Sequence, residues 1–404
     1  MPLPNPLPPD PPFPLAERLA GIQPFYVMEL IKQADRLVAA GRSIIHLSIG
    51  EPDFTAPPPV LAALAEAMAA GRSGYTAAVG LPALREAIST HYRAVYGLDI
   101  AAERIVVTAG ASGALLLAVA VLLDAGQEVL MPDPSYPCNR HIVAAFNARA
   151  KLIAAGPEKR FQLDAGDVEE HWGVATRGVL LASPSNPTGT SIARQQLAEV
   201  LAAVRRKAGF LIVDEIYQGL WYGGADQHAP PSALALGDDV IVVNSFSKYF
   251  SMTGWRLGWL VVPPALVPAV EKVAQNLFIC ASAPAQQAAL ACFTPPAQVI
   301  YESRRQEFQA RRDYLVPALR ELGFEIPVLP DGAFYVYAKV TPFGLPSDVL
   351  AHRLLHEAGV CCVPGRDFGE NAPADWMRFS YATSLANLQE AVRRMRVVLA
   401  ALRC

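Results

Sequence analysis

The chain has 404 residues, of which 52% are hydrophobic and 18% are charged. A chain of this length is too long for one ordinary hydrophobic core, so we expect two domains. The composition is typical of a well-buried globular protein. The formal net charge is only −3 and no basic tract is present, which argues against a role in nucleic-acid binding.

The first fourteen residues form a proline-rich arm that contains eight prolines. The arm lacks a cationic start followed by an apolar core, so we expect no signal peptide, and no apolar run has the length of a membrane span. Proline-rich chains favour extended structure, so disorder and an arm that lies across a partner are the two alternatives, and for the first ten residues we favour disorder.

Six cysteines are scattered along the chain without a C-x-x-C pair, and the seven histidines include no H-E-x-x-H motif. These spacings argue against a structural zinc site and against a disulfide framework. We therefore expect no metal, reduced thiols and a cytoplasmic location.

Short apolar runs alternate with longer helical patterns between residues 105 and 243, which is typical of an α/β domain with a largely parallel sheet. The apolar runs predict buried strands over 105–108, 128–131, 178–182, 210–213 and 240–243. Helices are predicted over 110–123 and from a cap at Ser191 to Arg206, with a rigid loop over 132–137.

The pattern changes after about residue 285. Helices are predicted over 300–322 and 347–358, and strand-like runs over 332–338 and 359–363. This mixture indicates a smaller α+β domain, which a helix near 25–40 is expected to join. The predicted organisation is an arm over 1–14, an N-terminal part of the small domain over 15–48, a large domain over 49–284 and a C-terminal small domain over 285–404.

Polar residues follow three of the predicted strands at the point where each strand ends. They occupy 183–186, 214–217 and 245–248. Open α/β sheets bind ligands in the crevice at the carboxyl ends of their strands. The three polar clusters are therefore expected to converge on one site.

The segment 245–259 places Lys248 at the end of an apolar run, between hydroxyl residues that include Ser245 and Ser247, with Arg256 eight residues later. Neutral lysine amines form imines with carbonyl compounds, and hydroxyls with an arginine bind phosphate well. The segment suits a Schiff-base lysine beside a phosphate clamp, as in a pyridoxal phosphate (PLP) site. A strand that runs into a solvated turn is the alternative.

Asp214 ends the predicted strand 210–213. A carboxylate facing the ring nitrogen of PLP keeps that nitrogen protonated, because opposite charges near 4 Å attract by ~4 kcal/mol at an effective dielectric of 20. Capping of the next turn is the alternative role, and Glu215 suits the ring nitrogen less well. The Asn186 amide can donate a hydrogen bond to a phenolate oxygen or to a carboxylate, and Tyr217 can donate to the same phenolate, although Asn186 also fits an ordinary Asn-Pro turn.

The turn 108–113 joins a predicted strand to a predicted helix through small residues, among them Gly110, Ala111 and Ser112. Small residues allow backbone N–H groups to reach a phosphate at a helix N-terminus. The turn does not match G-x-G-x-x-G, so it favours a dinucleotide site only weakly, and a tight turn without a ligand is the other alternative.

Taken together, Asn186, Asp214, Tyr217, Lys248 and Arg256 resemble, in order and approximate spacing, the cofactor contacts of the class I/II aminotransferases among the fold-type I PLP enzymes. The resemblance covers almost the whole chain. It implies PLP as the cofactor, transfer of an amino group from an L-amino acid to a 2-oxo acid, and a homodimer. It also implies an α/β fold with a large PLP-binding domain and a smaller α+β domain.

Four further residues take roles that the resemblance implies. Gly50 resembles the glycine of the entry loop near the substrate carboxylate, and Arg378 the arginine that grips the α-carboxylate with a bidentate fork. Tyr136 takes the place of the aromatic residue stacked on the pyridine ring. Tyr75 resembles the tyrosine that reaches the phosphate of the neighbouring subunit's cofactor, which makes Lys248, Asp214 and Tyr75 the implied catalytic residues.

The chain departs from some bacterial relatives that are specific for dicarboxylates, because these carry a lysine about where Ser112 stands. A distal carboxylate buried without a cation is destabilised by several kcal/mol. Arg18, Arg72 and Arg140 are the alternative cations, and the preferred amino acid stays open.

Three other functions remain as alternatives. A C–S lyase of the same fold would release pyruvate and a thiol from a cysteine conjugate. A transcriptional regulator with an aminotransferase-like domain would require a DNA-binding module before Leu15, where the sequence has only the proline-rich arm. A Rossmann-type oxidoreductase would not carry PLP on Lys248.

Overall fold

The computed structural model describes residues 13–223 and 232–402. Residues 1–12 of the proline-rich arm lie outside these ranges, and with them the predicted disorder of the first ten residues. No helix in the described ranges is long and apolar enough to cross a membrane.

The described residues form twelve α-helices and twelve strands, and strands alternate with helices from β2 to β6. The helices are α1 Tyr26–Ala39, α2 Pro58–Ala69, α3 Pro82–Tyr96, α4 Gly110–Leu122, α5 Pro137–Ala145, α6 Ala165–His171, α7 Arg194–Arg206, α8 Val267–Leu277, α9 Ala283–Ala289, α10 Pro295–Glu321, α11 Ser347–Arg353 and α12 Leu385–Ala400. The strands are β1 Ile45–His46, β2 Ile105–Thr108, β3 Glu128–Asp133, β4 Arg149–Ala154, β5 Thr176–Ala182, β6 Phe210–Asp214, β7 Ile241–Ser245, β8 Gly258–Val261, β9 Tyr335–Lys339, β10 Val360–Cys361, β11 Val363–Pro364 and β12 Trp376–Ser380.

Seven of the strands form one central sheet in the order β2-β8-β7-β6-β5-β3-β4. Neighbouring strands run parallel except for β8, which is antiparallel to both β2 and β7. The predicted α/β class with a mostly parallel sheet is confirmed.

Burial on both faces explains why the strands of this sheet are continuous apolar runs. In β6, Leu211 and Val213 belong to the core on one face, whereas Ile212 belongs to the core on the other. Successive side chains of a strand point to opposite faces, so both sets require apolar residues. Helices α3 and α7 cover the first face, and α4 and α8 cover the second.

Two local predictions differ from the structure. Ser191 does not cap α7, because the helix begins only at Arg194 and Ala193 occupies the N-cap position; the Ser191 backbone N–H donates to Asp331 Oδ1 at 2.8 Å. The predicted loop over 132–137 is shorter, since β3 continues to Asp133 beside β4 and α5 begins at Pro137, a favourable first helical residue.

The C-terminal region forms a three-stranded antiparallel sheet in the order β11-β12-β9, and β10 pairs in parallel with β1. Helix α1 packs Leu30 and Ala34 against Leu355 and Cys361 of this region. The N-terminal helix therefore packs on the C-terminal third of the chain. The domain boundaries at 48/49 and 284/285 stay predictions.

Gly258 is required where β8 lies against the N-terminus of α4. A Cβ at this position would lie 2.8 Å from the Gly110 carbonyl carbon and 2.7 Å from the Asn244 oxygen. We expect Gly258→Ala to lower the urea midpoint of unfolding, since overpacking of this kind destabilises by about 1–3 kcal/mol. Gly173→Ala, at an exposed turn with room for a Cβ, is the control, and equal midpoints for the two variants would contradict this account.

Candidate active site

A cavity of about 350 Å³ opens at the carboxyl edge of the central sheet, where β5, β6 and β7 end. Most of the residues predicted from the sequence line it. They are Gly50, Ala111, Ser112, Tyr136, Asn186, Asp214, Tyr217, Ser247, Lys248, Arg256 and Arg378. Gly110 and Ser245 lie directly behind this lining, whereas Tyr75 is elsewhere on the surface.

Lys248 follows β7 and extends its amine into the cavity. Its Nζ donates a hydrogen bond to the Gly50 carbonyl oxygen and lies 5.8 Å from the centre of the Tyr217 ring. Burial disfavours the charged amine and lowers the pKa of Lys248 to about 8. About a tenth of the amine is therefore neutral, and nucleophilic, at pH 7.

Asp214 ends β6 on the same cavity and is 5% exposed. Burial raises the pKa of its carboxyl to about 6, so the group is a carboxylate above that pH. Glu215 turns away, because its carboxylate accepts hydrogen bonds from Ser232 Oγ at 2.8 Å and from the Ala233 N–H at 2.6 Å. Of the two neighbouring acids, Asp214 alone lines the cavity.

The N-terminus of α4 and Arg256 form one end of the cavity. Gly110 has φ +72°, and a Cβ on it would lie 2.6 Å from Arg256 Nη2. Arg256 Nη1 contacts Ser247 Oγ at 3.5 Å, and Ser247 Oγ in turn accepts from Ser245 Oγ at 2.9 Å. A guanidinium, hydroxyls and a helix N-terminus together make an anion site that fits a phosphate.

Arg378, on β12, lies at the other end and is 4% exposed. Its Nη1 donates to Asn186 Oδ1 at 2.9 Å and its Nη2 to the Ser48 carbonyl oxygen at 2.7 Å. Its guanidinium carbon lies 4.4 Å from the centre of the Tyr335 ring, and its buried Nε has no partner among the described residues. Such an oriented guanidinium with a free donor fits a carboxylate.

Aromatic residues form the remaining walls. Tyr217 and Tyr335 share a hydrogen bond of 2.8 Å between their hydroxyls. Tyr136 immediately precedes α5, and its ring stacks on that of Phe25 with centroids 6.3 Å apart.

Sequence reasoning missed several lining residues. Tyr335 lies in the predicted strand 332–338, but nothing in its apolar and aromatic pattern marks its hydroxyl as part of the site. Asp367 and Phe368, and the apolar residues at the start of α1, also line the cavity. Asp367 directly follows Arg366, so nothing in the sequence marks its carboxylate as part of a site.

The three arginines considered as partners for a distal carboxylate do not line the cavity. Arg18 is exposed and donates to the Ala145 carbonyl oxygen at 3.4 Å, and Arg140 donates to the Asp367 carbonyl oxygen at 2.9 Å. Arg72 is exposed, as is Tyr75, whose side chain is 84% exposed.

These groups fit PLP one by one. The absence of a Cβ on Gly110 lets the Arg256 guanidinium lie against the N-terminus of α4, where both can bind a phosphate. Asp214 provides a carboxylate for a ring nitrogen, and Lys248 provides an amine for an aldehyde. A mostly parallel sheet that presents this donor set at its carboxyl edge defines a PLP-dependent enzyme.

Comparison with known proteins identifies the family. The model of class I and II aminotransferases matches residues 42–395. A valine–pyruvate aminotransferase from Mycobacterium tuberculosis is 39% identical over 376 residues, which are 93% of this chain and 96% of that protein. An aspartate aminotransferase from Geobacillus stearothermophilus is 35% identical over 389 residues, which are 94% of this chain and 98% of that protein. The crystal structure of an aminotransferase from M. tuberculosis has a TM-score of 0.92 and 39% identity, and the match covers 96% of this chain and 100% of that one.

The chain therefore belongs to the class I and II aminotransferases, and the resemblance noted in the sequence is confirmed. It is a PLP-dependent transaminase that moves an amino group from an L-amino acid to a 2-oxo acid. Amino transfer, rather than elimination, is the activity in the names of these relatives.

The lowered pKa of Lys248 predicts how the apoenzyme takes up PLP. Only the neutral amine attacks the aldehyde, so the rate of incorporation should rise as the pH approaches about 8 and level off above it. Absorbance-monitored mixing of apoenzyme with PLP between pH 6 and 10 measures this rate. A rate that keeps rising towards pH 10, as it does for a lysine in a solvated peptide, would contradict the buried amine.

Proposed function

We propose that Lys248 holds PLP covalently and carries the proton during transfer, while Asp214 faces the ring nitrogen. The observation that carries this proposal is the burial of the Lys248 amine and the Asp214 carboxylate on one cavity. Arg256, Ser245, Ser247 and the turn of Gly110, Ala111 and Ser112 would bind the phosphate. Tyr136 would stack on the ring, and Asn186 and Tyr217 would donate to its phenolate oxygen.

PLP, when bound, supplies an electron sink that stabilises negative charge at the substrate Cα. Lys248 Nζ takes the proton from Cα and later returns a proton, which its lowered pKa favours at neutral pH. Asp214 remains ionised above pH 6 and provides the negative charge that holds a proton on the ring nitrogen.

Arg378 binds the substrate α-carboxylate in this proposal, with Asn186 and the Gly50 loop beside it. The hydrogen bonds from Arg378 to Asn186 and to the Ser48 carbonyl oxygen support this role, because they hold the guanidinium in place before the substrate arrives. The carboxylate then fixes the direction of the Cα–H bond relative to Lys248.

We also propose a homodimer in which Tyr75 of one subunit reaches the phosphate in the other. The 84% exposure of Tyr75 supports a partner at this residue, and Leu61 and Met68 on the preceding helix α2 are also exposed apolar residues. The five described cysteines are free, which supports the proposed cytoplasmic location.

Removal of the proton carrier tests the role of Lys248. With a single amino acid and no 2-oxo acid, Lys248→Ala should slow the half-reaction, followed by cofactor absorbance, by at least about 10²-fold. Lys272→Ala, which removes an exposed lysine on α8, is the matched control. A Lys248→Ala rate within a few-fold of the control rate would refute the proposal.

Hybrid dimers test the position of Tyr75. When Lys248→Ala subunits are paired with Tyr75→Phe subunits, a Tyr75 that crosses the interface gives one complete site per hybrid. The differently tagged, purified hybrid should then regain about half of the wild-type turnover per dimer. If Tyr75 serves its own subunit, the hybrid has no complete site and shows no such gain.

A further inference from the structure

Helix α1 begins without a cap of its own. Phe25 precedes it and has no side-chain oxygen, so the first N–H groups of the helix need other acceptors. The Tyr26 N–H donates to Asp367 Oδ1 at 2.7 Å and the Val27 N–H to Asp367 Oδ2 at 2.8 Å. A carboxylate from 340 residues further along the chain therefore caps the helix, and its charge is favourable at that end.

Asp367 is itself held firmly, because its segment is bonded to the loop after β3. Its carbonyl oxygen accepts from Arg140, and the Phe368 carbonyl oxygen accepts from the Ser135 N–H at 2.7 Å. Asp133 Oδ2 accepts the N–H groups of residues 370 and 371 at 2.7 and 3.0 Å. Asp367 is only 6% exposed.

The capped end of α1 forms an apolar wall on the active-site cavity. The wall consists of Phe25, Val27, Met28 and Ile31. Phe25 also stacks on Tyr136, so the helix is attached to the aromatic residue beside the proposed ring position. The position of α1 thus determines the shape of this side of the cavity.

The charged groups of the cavity, like the apolar wall, favour a substrate side chain without a second carboxylate. Among the described residues, the cations that line the cavity are Lys248, Arg256 and Arg378, and the proposed function uses all three. Arg140 Nη2 donates to the Asp367 carbonyl oxygen, and its buried Nη1 has no partner among the described residues. Burial raises the pKa of the Asp367 carboxyl, which is acidic nonetheless. Within one subunit, a second carboxylate on a substrate would therefore meet apolar side chains and an acid, and would be destabilised.

We propose that Asp367 is a positioning residue that fixes the α1 wall, and that this wall selects amino acids with an apolar side chain. The inference rests on the proposed function, since the α-carboxylate on Arg378 and Cα beside Lys248 direct the substrate side chain to the wall. Asp367 acts through α1 and does not touch the reacting atoms.

A substrate series measures the selection. In half-reactions of the holoenzyme, leucine should exceed alanine by about tenfold or more in the ratio of maximal rate to dissociation constant, since each methylene in an apolar pocket favours binding. Aspartate should fall below alanine. A ratio for aspartate equal to or above that for leucine would overturn the proposal. If Arg72→Gln then abolished the preference for aspartate, Arg72 would be the cation that binds the second carboxylate.

Variants of the cap test the positioning role. Asp367→Ala should reduce the leucine-to-alanine ratio to below about threefold, because alanine is too short to depend on the wall. Asp367→Asn keeps one acceptor and should give an intermediate ratio, and Glu29→Gln, an exposed acid on the same helix, should leave it unchanged. Equal losses for leucine and alanine in Asp367→Ala would mean a structural role only and would overturn the positioning role.

Binding of unreactive carboxylates separates this inference from the proposed function. Calorimetry on the holoenzyme should give tighter binding of 4-methylpentanoate than of propanoate or butanedioate, and Asp367→Ala should remove the difference. If this pattern holds while no amino acid gives a half-reaction, the proposed roles fail and the wall stands. If the half-reactions proceed but butanedioate binds most tightly, the wall fails and the roles stand.

Discussion

Burial of an amine and a carboxylate on one cavity is the constraint on which the site depends. The same desolvation lowers the pKa of Lys248 to about 8 and raises that of Asp214 to about 6, because in each case it disfavours the charged form. At neutral pH, Lys248 is therefore a partly neutral nucleophile and Asp214 is an ionised carboxylate. The sheet produces this burial, since β6 and β7 are covered on both faces and end side by side at the cavity.

Arg378 joins three distant parts of the chain at the other end of the cavity. Its guanidinium is held by Ser48, Asn186 and the ring of Tyr335, which belong to the segment after β1, the loop after β5 and strand β9. Asp367 makes a similar connection between the C-terminal region and α1. The cavity is thus closed by contacts between regions that are hundreds of residues apart, and its specificity depends on how these regions are fixed to one another.

The sequence allowed the strands and the residues at their ends to be predicted, because burial on both faces leaves continuous apolar runs and the polar residues that follow them mark the ligand edge. Asp214, Asn186 and Lys248 were found in this way. The pairing of Tyr217 with Tyr335 and the capping of α1 by Asp367 were not, because no local periodicity encodes a contact across 118 or 341 residues. Ser191 shows the converse, since its local capping signal does not mark the start of α7, which lies at Arg194.

The central claim is that PLP is held by Lys248, and borohydride reduction of the holoenzyme tests it most directly. Reduction converts the bond between the cofactor and its lysine into a stable amine, which blocks tryptic cleavage at that residue. The account predicts one modified peptide that spans residues 208–256 with an uncleaved Lys248, identified by mass spectrometry. A cofactor adduct on any other lysine, with an unmodified and cleaved Lys248, would contradict it.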